Sequence, residues 1–440
     1  NLAAGSNLTL IGNAYDGKSN DNLLFPTLFA PYQLPTAVAQ KNRGANLLGR
    51  FDWTLENGSQ ATLQSYADVT ELDILPLAKE RRTTFDVDFQ HRLQAGTRHD
   101  VVWGLGYRWS SDDISTGDTA AATGISYLTF APKSRDLSLV SAFVQDEITL
   151  VPETWKLMLG AKLEHNSLTG FEPQPSVRLL WTPTSKDSVW AAASRAVRTP
   201  SRAERDVQVT YAVIPPNSQS PLPIVTLVQP NPDLDSERLT AFELGYRTQL
   251  TPKLSVDAAA YYNDYDKLRS AVSIGQGLVM GLPPYATFTS QTSNALKART
   301  HGLELAVDWH PTDWWRLQGA YTYQSINGRL TGDPANDDAA AMLEGLSPRH
   351  KLSLRSSFNL GPNQQLDIWA RRVGALGYAN IPAYTAVDLR YAWKMNKNLE
   401  FSLVGQNLFD PRHAEFASDF LSAQSAEIVR GGYLQVKWKF

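Results

Sequence analysis

Residues Gly431 to Phe440 alternate without interruption. Leu434, Val436, Trp438 and Phe440 fall on one side of an extended chain; Tyr433, Gln435, Lys437 and Lys439 fall on the other. A period of two puts one face of a strand in an apolar medium and the other in water. The same pattern recurs along the polypeptide. Val101, Trp103, Leu105, Tyr107 and Trp109 alternate with Asp100, Gly104, Gly106 and Arg108, and Trp155, Leu157, Leu159, Ala161 and Leu163 with Lys156, Lys162 and Glu164. Leu254 to Tyr262, Leu303 to Trp309 and Val387 to Trp393 repeat it. Such runs reach ~10 residues, the length of a tilted membrane strand, against ~5–6 for a mean globular strand. No apolar stretch approaches the ~18 residues that a spanning helix requires. A chain of this kind is either a water-soluble β protein or one that crosses a bilayer by strands with a polar second face.

The connections decide between these. Short turns are expected at Asn57-Gly58, Ala95-Gly96, Val151-Pro152, Pro183 to Asp187, Thr251-Pro252, Pro311 to Asp313, Gly361-Pro362 and Asn396 to Asn398, where Pro, Gly, Asn and Asp supply turn chemistry. Between them fall long connections: Lys18 to Gly44, Asp112 to Lys133, Arg198 to Ser236, Arg269 to Gln291, Asn327 to Leu346 and Asp410 to Glu427. Shorter ones near Leu75, Leu168 and Gly377 sit in the same phase. Long loops thus fall on one end of the strands only. A sandwich or propeller has no reason for this, whereas an outer-membrane barrel has short periplasmic turns and longer outside loops. The expected fold is all-β, a transmembrane antiparallel β-barrel forming a single domain over residues 1–440. About eighteen strands are expected, an even number as in bacterial barrels. The C-terminus is expected on the periplasmic side, as is the start of the first strand near Gly5.

Composition fits this reading. The 12 Trp and 17 Tyr can furnish two interfacial girdles. The absence of Cys excludes disulfides, thiolate metal sites and cysteine nucleophiles. A net charge of −3 gives no argument for nucleic acid. Asn1-Leu2-Ala3 opens the chain without the basic and apolar regions of a signal peptide, so a processed product or a fragment is expected.

Chemistry-bearing motifs are sparse. Gly104-Leu105-Gly106 lies inside a strand, not between strand and helix, and so fails the context of a dinucleotide loop. Small residues facing a filled lumen are the simpler account. His301, His310, His350 and His413 have no paired metal-ligand spacing, so no metal and no cofactor are expected. Nothing marks a hydrolytic constellation, and the chain is not expected to be an enzyme. Arg195, Glu243, Arg247, Glu304, Arg316, Asp367, Arg371 and Arg390 are placed on the inner face. The loops carry Tyr211, Phe288 and Tyr378 with Arg202, Arg205 and Arg329, a mixture suited to an anionic, partly apolar ligand.

Several stretches resemble the barrel of the TonB-dependent outer-membrane receptors. Asn231-Pro232-Asp233-Leu234, then Glu237 and Glu243-Leu244-Gly245-Tyr246-Arg247, is similar to one family pattern. Ser194 to Ser201 resembles the family's Ser-x-x-x-Arg-x-Pro run, and Phe143-Val144-Gln145-Asp146-Glu147 its Phe-x-Gln-Asp strand. Gly302-Leu303-Glu304 and Ser347-Pro348-Arg349-His350 resemble two strand starts, and Gly405-Gln406-Asn407-Leu408-Phe409-Asp410 is the most specific match. In order and spacing these cover roughly residues 140 to 440. His413 departs from the family's usual Tyr.

The resemblance implies the barrel portion of an energy-coupled importer, of the type that takes up iron–siderophore complexes. It implies a ligand that is a small-molecule metal chelate, and partnership with the TonB-ExbB-ExbD complex through a plug domain. Outer-membrane lipid, lipopolysaccharide and the barrel assembly machinery are the other expected partners. Family barrels have about 22 strands around a filled lumen, so the plug and about four strands are expected to lie outside this sequence. A passive porin-like channel, or a receptor for cobalamin, another metal chelate or a saccharide, is the alternative. Some of Arg195, Arg198, Glu237 and Glu243 are expected to form charge pairs at the lumen wall, and Asn407 to satisfy backbone groups where the penultimate strand leaves the membrane. Tyr433, Trp438 and Phe440 form the expected assembly signal.

Overall fold

A computed structural model describes residues 5–331, 338–418, 423 and 426–440. Five strands open the chain: β1 (Ser6–Pro26), β2 (Gln33–Thr54), β3 (Gln60–Ile74), β4 (Ala78–Ala95) and β5 (His99–Thr116). A helical turn α1 (Ala120–Thr123) and a short β6 (Leu128–Phe130) precede β7 (Ser134–Val151), β8 (Trp155–Asn166), β9 (Gly170–Thr184) and β10 (Asp187–Arg198). Next come α2 (Arg202–Asp206), β11 (Val207–Ile214) and β12 (Ile224–Gln229), then β13 (Glu237–Thr251), β14 (Leu254–Val279), β15 (Tyr285–Thr312) and β16 (Trp315–Leu330). Helix α3 (Ala339–Gly345) leads to β17 (His350–Gly361), β18 (Gln364–Val373), β19 (Tyr384–Lys394) and β20 (Leu399–Gln406). A two-residue pair, β21 (Arg412–His413) and β22 (Ile428–Val429), precedes β23 (Gly431–Trp438).

Eighteen of these strands, β1–β5, β7–β10, β13–β20 and β23, pair antiparallel with their neighbours to form the barrel wall. Among the described residues β1 is paired along its length only with β2, and β23 only with β20. The β1 side and the segment before β23 meet at one point, an antiparallel bridge between Leu23 and Ala423.

Register shows why the sequence alternates. Leu8 lies opposite Phe51, Phe51 opposite Leu63, Leu63 opposite Phe89 and Phe89 opposite Leu105. Phe242, Leu244, Leu303, Leu305, Leu352, Leu354, Leu403 and Leu434 continue the same face, and all are substantially exposed. That face suits lipid, while the opposite face carries the charged partners described below. On it the indole of Trp190 lies across Gly245, where a Cβ would come within 1.9 Å of the ring. Only glycine allows that approach.

The two ends of the wall differ. Eight turns of two to five residues join strands at one end, from 55–59 to 395–398. Every other connection lies at the opposite end. The strands there run further than hydropathy suggests. Residues expected in a long loop between Lys18 and Gly44 are paired in register out to Pro26 opposite Gln33, and the connection is only 27–32. Likewise β14 and β15 pair from Leu254 opposite Trp309 to Val279 opposite Tyr285, leaving only 280–284 unpaired. From Asp16 to Asn22 the strand is exposed, so apolar alternation disappears while the backbone ladder continues; beyond it Leu23 and Phe25 enter a buried cluster.

Candidate functional site

The inner face carries an ionic lattice. Asp367, 6% exposed, lies 3.3 Å from both Arg355 and Arg390, and Arg390 continues to Glu400 at 2.9 Å. Arg371 reaches Asp388 at 2.7 Å with its guanidinium over the Trp369 ring. Arg247 pairs with Asp257, and Arg316 with Asp308. A recess of about 440 Å³ between them is lined by Arg247, Asp257, Asp308, Gln318, Arg355 and Trp369. Cross-strand pairing of opposite charges fixes these long side chains against the wall.

Above the wall the long connections form a canopy with its own core. Leu28, Ile125, Val213 and Val225 are buried together, with Tyr32, Leu227 and Tyr285 against them. A second cluster joins Leu23, Phe25, Val38, Leu77 and Tyr127. A small sheet ties the canopy down. β6 pairs antiparallel with β11, β11 with β12, and β12 runs parallel to the outer part of β15, from Ile224 beside Ala286 to Gln229 beside Gln291.

Helix α2 is the ionic hub beneath this sheet. Ser201 and Glu204 form a capping box, each side chain bonding the other's backbone N–H. Glu204, 8% exposed, also accepts from Arg198 at 2.8 Å and sits 3.4 Å from Arg269. Burial works against its charge, but Arg198 and the Ser201 N–H prevail and hold the carboxyl below the ordinary glutamate value. Arg198 further grips Glu237 through two bonds of 2.6 and 2.7 Å. Deeper still, Arg202 lies 3.0 Å from both Asp112 and Asp206, and Arg135 reaches Asp206 at 2.7 Å.

This geometry sorts the residues expected to act. Arg202 is 5% exposed and spends its guanidinium on Asp112, Asp206 and the Pro132 carbonyl, so it is an internal strut and not a free ligand contact. Arg205 donates to the carbonyls of Leu168 and Leu234 at 2.8 and 3.2 Å and staples two connections. Arg329 stands on the outward face of β16 opposite Lys297. Arg195 is not on the inner face. It shares a face with Ala191 and Ala193 and lies opposite Thr240, two residues from Phe242. The run of small residues around it hides the parity in the sequence. Arg198 and Glu237 do pair, whereas Glu243 approaches Arg178 only to 3.9 Å.

Tyr211 is the extra residue of a bulge between β11 and β12, which turns its side chain outward at 50% exposure. Tyr378 is 43% exposed, and burial of its hydroxyl, with Asp338 and Tyr211 in electrostatic reach, raises its pKa. Phe288 is half-buried on β15, beside Thr226 of β12. Asn407 takes a left-handed φ of 56°, accepts a cross-loop role by bonding Asp388 through its N–H, and places its amide 3.2 Å from His413 Nδ1. His413 stacks on Tyr384 and meets Glu415 at 2.9 Å. Tyr433, Trp438 and Phe440 are exposed on or just beyond β23, the ring of Phe440 6.4 Å from that of Trp438. Among the described residues no group of three or more His, Asp or Glu could hold a metal ion.

The sequence reading missed Asp112, Arg135, Glu204 and Asp206. The capping spacing Ser201-x-x-Glu204 was visible; the partners of Arg202, from β5 and the end of α2, were not.

Residues 3–408 match the family model described as TonB dependent receptor-like, beta-barrel. The catecholate siderophore receptor Fiu of Escherichia coli K12 is 28% identical over 123 residues, covering 26% of this chain and 16% of that protein. The ferric enterobactin receptor of Pseudomonas aeruginosa is 26% identical over 328 residues, covering 70% of this chain and 43% of its own length. The chain therefore spans less than half of these curated relatives. Among solved structures, a mutant of the Pseudomonas aeruginosa ferric enterobactin receptor PfeA in complex with enterobactin superposes with a TM-score of 0.71 at 15% identity, over 99% of this chain and 68% of that one. The siderophore receptor PirA of Acinetobacter baumannii gives 0.68 at 13% identity, over 99% and 72%. At such identities the likeness is one of fold.

Proposed function

The chain belongs to the TonB-dependent receptor β-barrel family, and from that premise we propose that it is the barrel wall of an outer-membrane receptor importing a ferric siderophore. The observation that carries this reading is the family match over residues 3–408, joined to relatives that are themselves siderophore receptors. In this reading the long-loop end faces outside and the C-terminus faces the periplasm. The canopy receives the chelate, with Tyr211, Phe288 and Tyr378 as its aromatic contacts. The apolar part of an iron chelate suits exposed rings of this kind. No covalent step is involved. Inward release draws on the TonB-ExbB-ExbD complex acting through a plug domain of the whole receptor, and the assembly machinery reads Tyr433, Trp438 and Phe440.

The test is radio-iron uptake by cells whose other ferric-siderophore receptors are deleted and which express the full-length receptor. Uptake of a catecholate complex that stops when TonB is removed is expected, and Tyr211→Ala with Tyr378→Ala should weaken binding. Uptake that continues without TonB, or steady conductance in planar bilayers, would identify a passive channel instead.

A further inference from the structure

The connection between β20 and β23 is fastened by one imidazole whose two nitrogens meet different demands. His413, 9% exposed, is the second residue of β21. Its Nε2 lies 2.9 Å from Glu415 Oε1. Its Nδ1 has two neighbours of opposite polarity: Asp410 Oδ2 at 3.1 Å, an acceptor, and Asn407 Nδ2 at 3.2 Å, a donor. The ring stacks on Tyr384 of β19, with 4.0 Å between centroids and 17° between planes, which fixes its orientation. The Tyr384 hydroxyl donates to the same Glu415 carboxylate. Of the other charges nearby, Arg412 pairs with Glu427 at 3.4 Å and Arg371 with Asp388 at 2.7 Å.

One nitrogen cannot satisfy an acceptor and a donor at once. A neutral ring that keeps its Nε2–H for Glu415 presents a lone pair at Nδ1. The Asn407 amide can donate to that lone pair, while Asp410 meets it acceptor to acceptor. A charged ring carries a second N–H at Nδ1, which donates to Asp410 and turns the Asn407 amide into a donor facing a donor. The two states fasten different segments. Asp410 belongs to the turn: its N–H donates to the Asn407 carbonyl at 3.2 Å, and its Oδ1 accepts from the Arg412 N–H at 3.1 Å. Asn407 is tied to its surroundings: its N–H donates to Asp388 of β19 at 2.9 Å, and its amide reaches the Ile428 carbonyl of β22 at 3.4 Å.

We propose that His413 is a proton-operated selector in this connection. Charged, it clamps Asp410 and Glu415 about one ring and tightens the turn over residues 408–413. Neutral, it passes Nδ1 to Asn407 and releases Asp410. Both grips of the charged state require ionised carboxylates, so the clamp belongs to mildly acid conditions and is lost as pH rises through the range in which histidine gives up its proton. The family's usual Tyr at this position offers a single hydroxyl and cannot make the exchange. The connection lies at the long-loop end, but the exchange depends neither on which side of a membrane that end faces nor on the ligand.

The test is hydrogen exchange of the purified full-length receptor at about pH 5.5 and about pH 8, either side of the range in which histidine changes charge, with rates corrected for the intrinsic effect of pH. Residues 408–413 should lose protection about tenfold at the higher pH, the worth of one charge-assisted hydrogen bond, while β19 and β20 keep theirs. Asp410→Asn removes the carboxylate and His413→Gln removes the titrating ring. In both variants the protection of 408–413 should be the same at the two pH values. Heat-modifiable migration on gels reports assembly; if His413→Gln does not assemble, Asp410→Asn, which keeps the size and shape of the side chain, carries the test. Equal protection of the unmodified receptor at both pH values, or a pH dependence that survives either substitution, would overturn the proposal.

Discussion

The two ends of this barrel are made from the same hairpins and stabilised by different physics. At the short-turn end the outward face carries indoles: Trp155 stacks on Trp181 at 5.4 Å, Trp309 meets Trp315 at 6.2 Å, and Trp393 meets Phe401 at 6.2 Å. These contacts lie between adjacent strands, and the turns reach only to the next hairpin, as where the Thr182 N–H donates to the Thr154 carbonyl and Lys253 meets Asp313 at 2.7 Å. At the long-loop end the connectors have two buried clusters, a small sheet and ion pairs linking segments far apart in sequence. The first end is a repeated local solution and tolerates local damage. The second is a single cooperative unit, in which one residue can hold several loops. A binding site needs groups fixed relative to one another, which is the physical support for proposing the ligand at the second end.

That contrast can be broken most directly at Arg202. Arg202→Ala strands Asp112 and Asp206 in a buried site and should cost about 3–5 kcal/mol of canopy stability. Hydrogen exchange should show α2, β6 and β11 losing protection together while the wall strands keep theirs; loss confined to residues beside Arg202 would refute cooperativity. Next in size is the apolar core. Leu28, 4% exposed, should cost about 2–5 kcal/mol as Leu28→Ala, read as a lower temperature for canopy melting with the gel mobility of the folded barrel unchanged.

Acid sharpens the comparison further. Glu204 has its folded pKa depressed below the ordinary glutamate value of 4.5. Its contribution is therefore fully present above pH 4.5 and is lost as pH falls through the lowered folded value. Glu204→Gln should remove about 1–3 kcal/mol at neutral pH and flatten the acid dependence of canopy protection. An unchanged acid profile would show that another carboxylate governs it. The smallest effect is expected at the opposite end. Trp155→Leu loses the stack on Trp181, worth about 0.5–1.5 kcal/mol, and should leave ligand affinity untouched. A change in affinity there would mean that the two ends communicate.

How much was legible follows the same division. The wall was readable because lipid and lumen impose opposite demands on successive residues, so Leu303, Leu305 and Val307 declare their strand without help from elsewhere. The extended outer hairpins were not, because Asp16 to Asn22 are exposed and polar and leave no hydropathy signal of the ladder that joins them to β2. Tyr211 and Tyr378 were found as exposed loop aromatics. Arg202 was taken for the same kind of residue because charge on a loop looks identical whether it meets a ligand or a carboxylate from β5. Arg195 failed for a third reason: Ala191 to Ala196 contains too little size contrast to fix which side faces in.

The parallel pairing of β12 with β15 carries a consequence in time. Residues 224–229 cannot find residues 286–291 until β13 and β14 have brought the outer part of β15 alongside. β6 likewise meets β11 only when β7–β10 have already been laid between them. Contacts of such sequence separation form late and slowly. The canopy therefore keeps a record of assembly: its small sheet can zip only over a wall whose intervening strands have taken their proper order, so a receptor able to hold its ligand has already passed a test of its own construction.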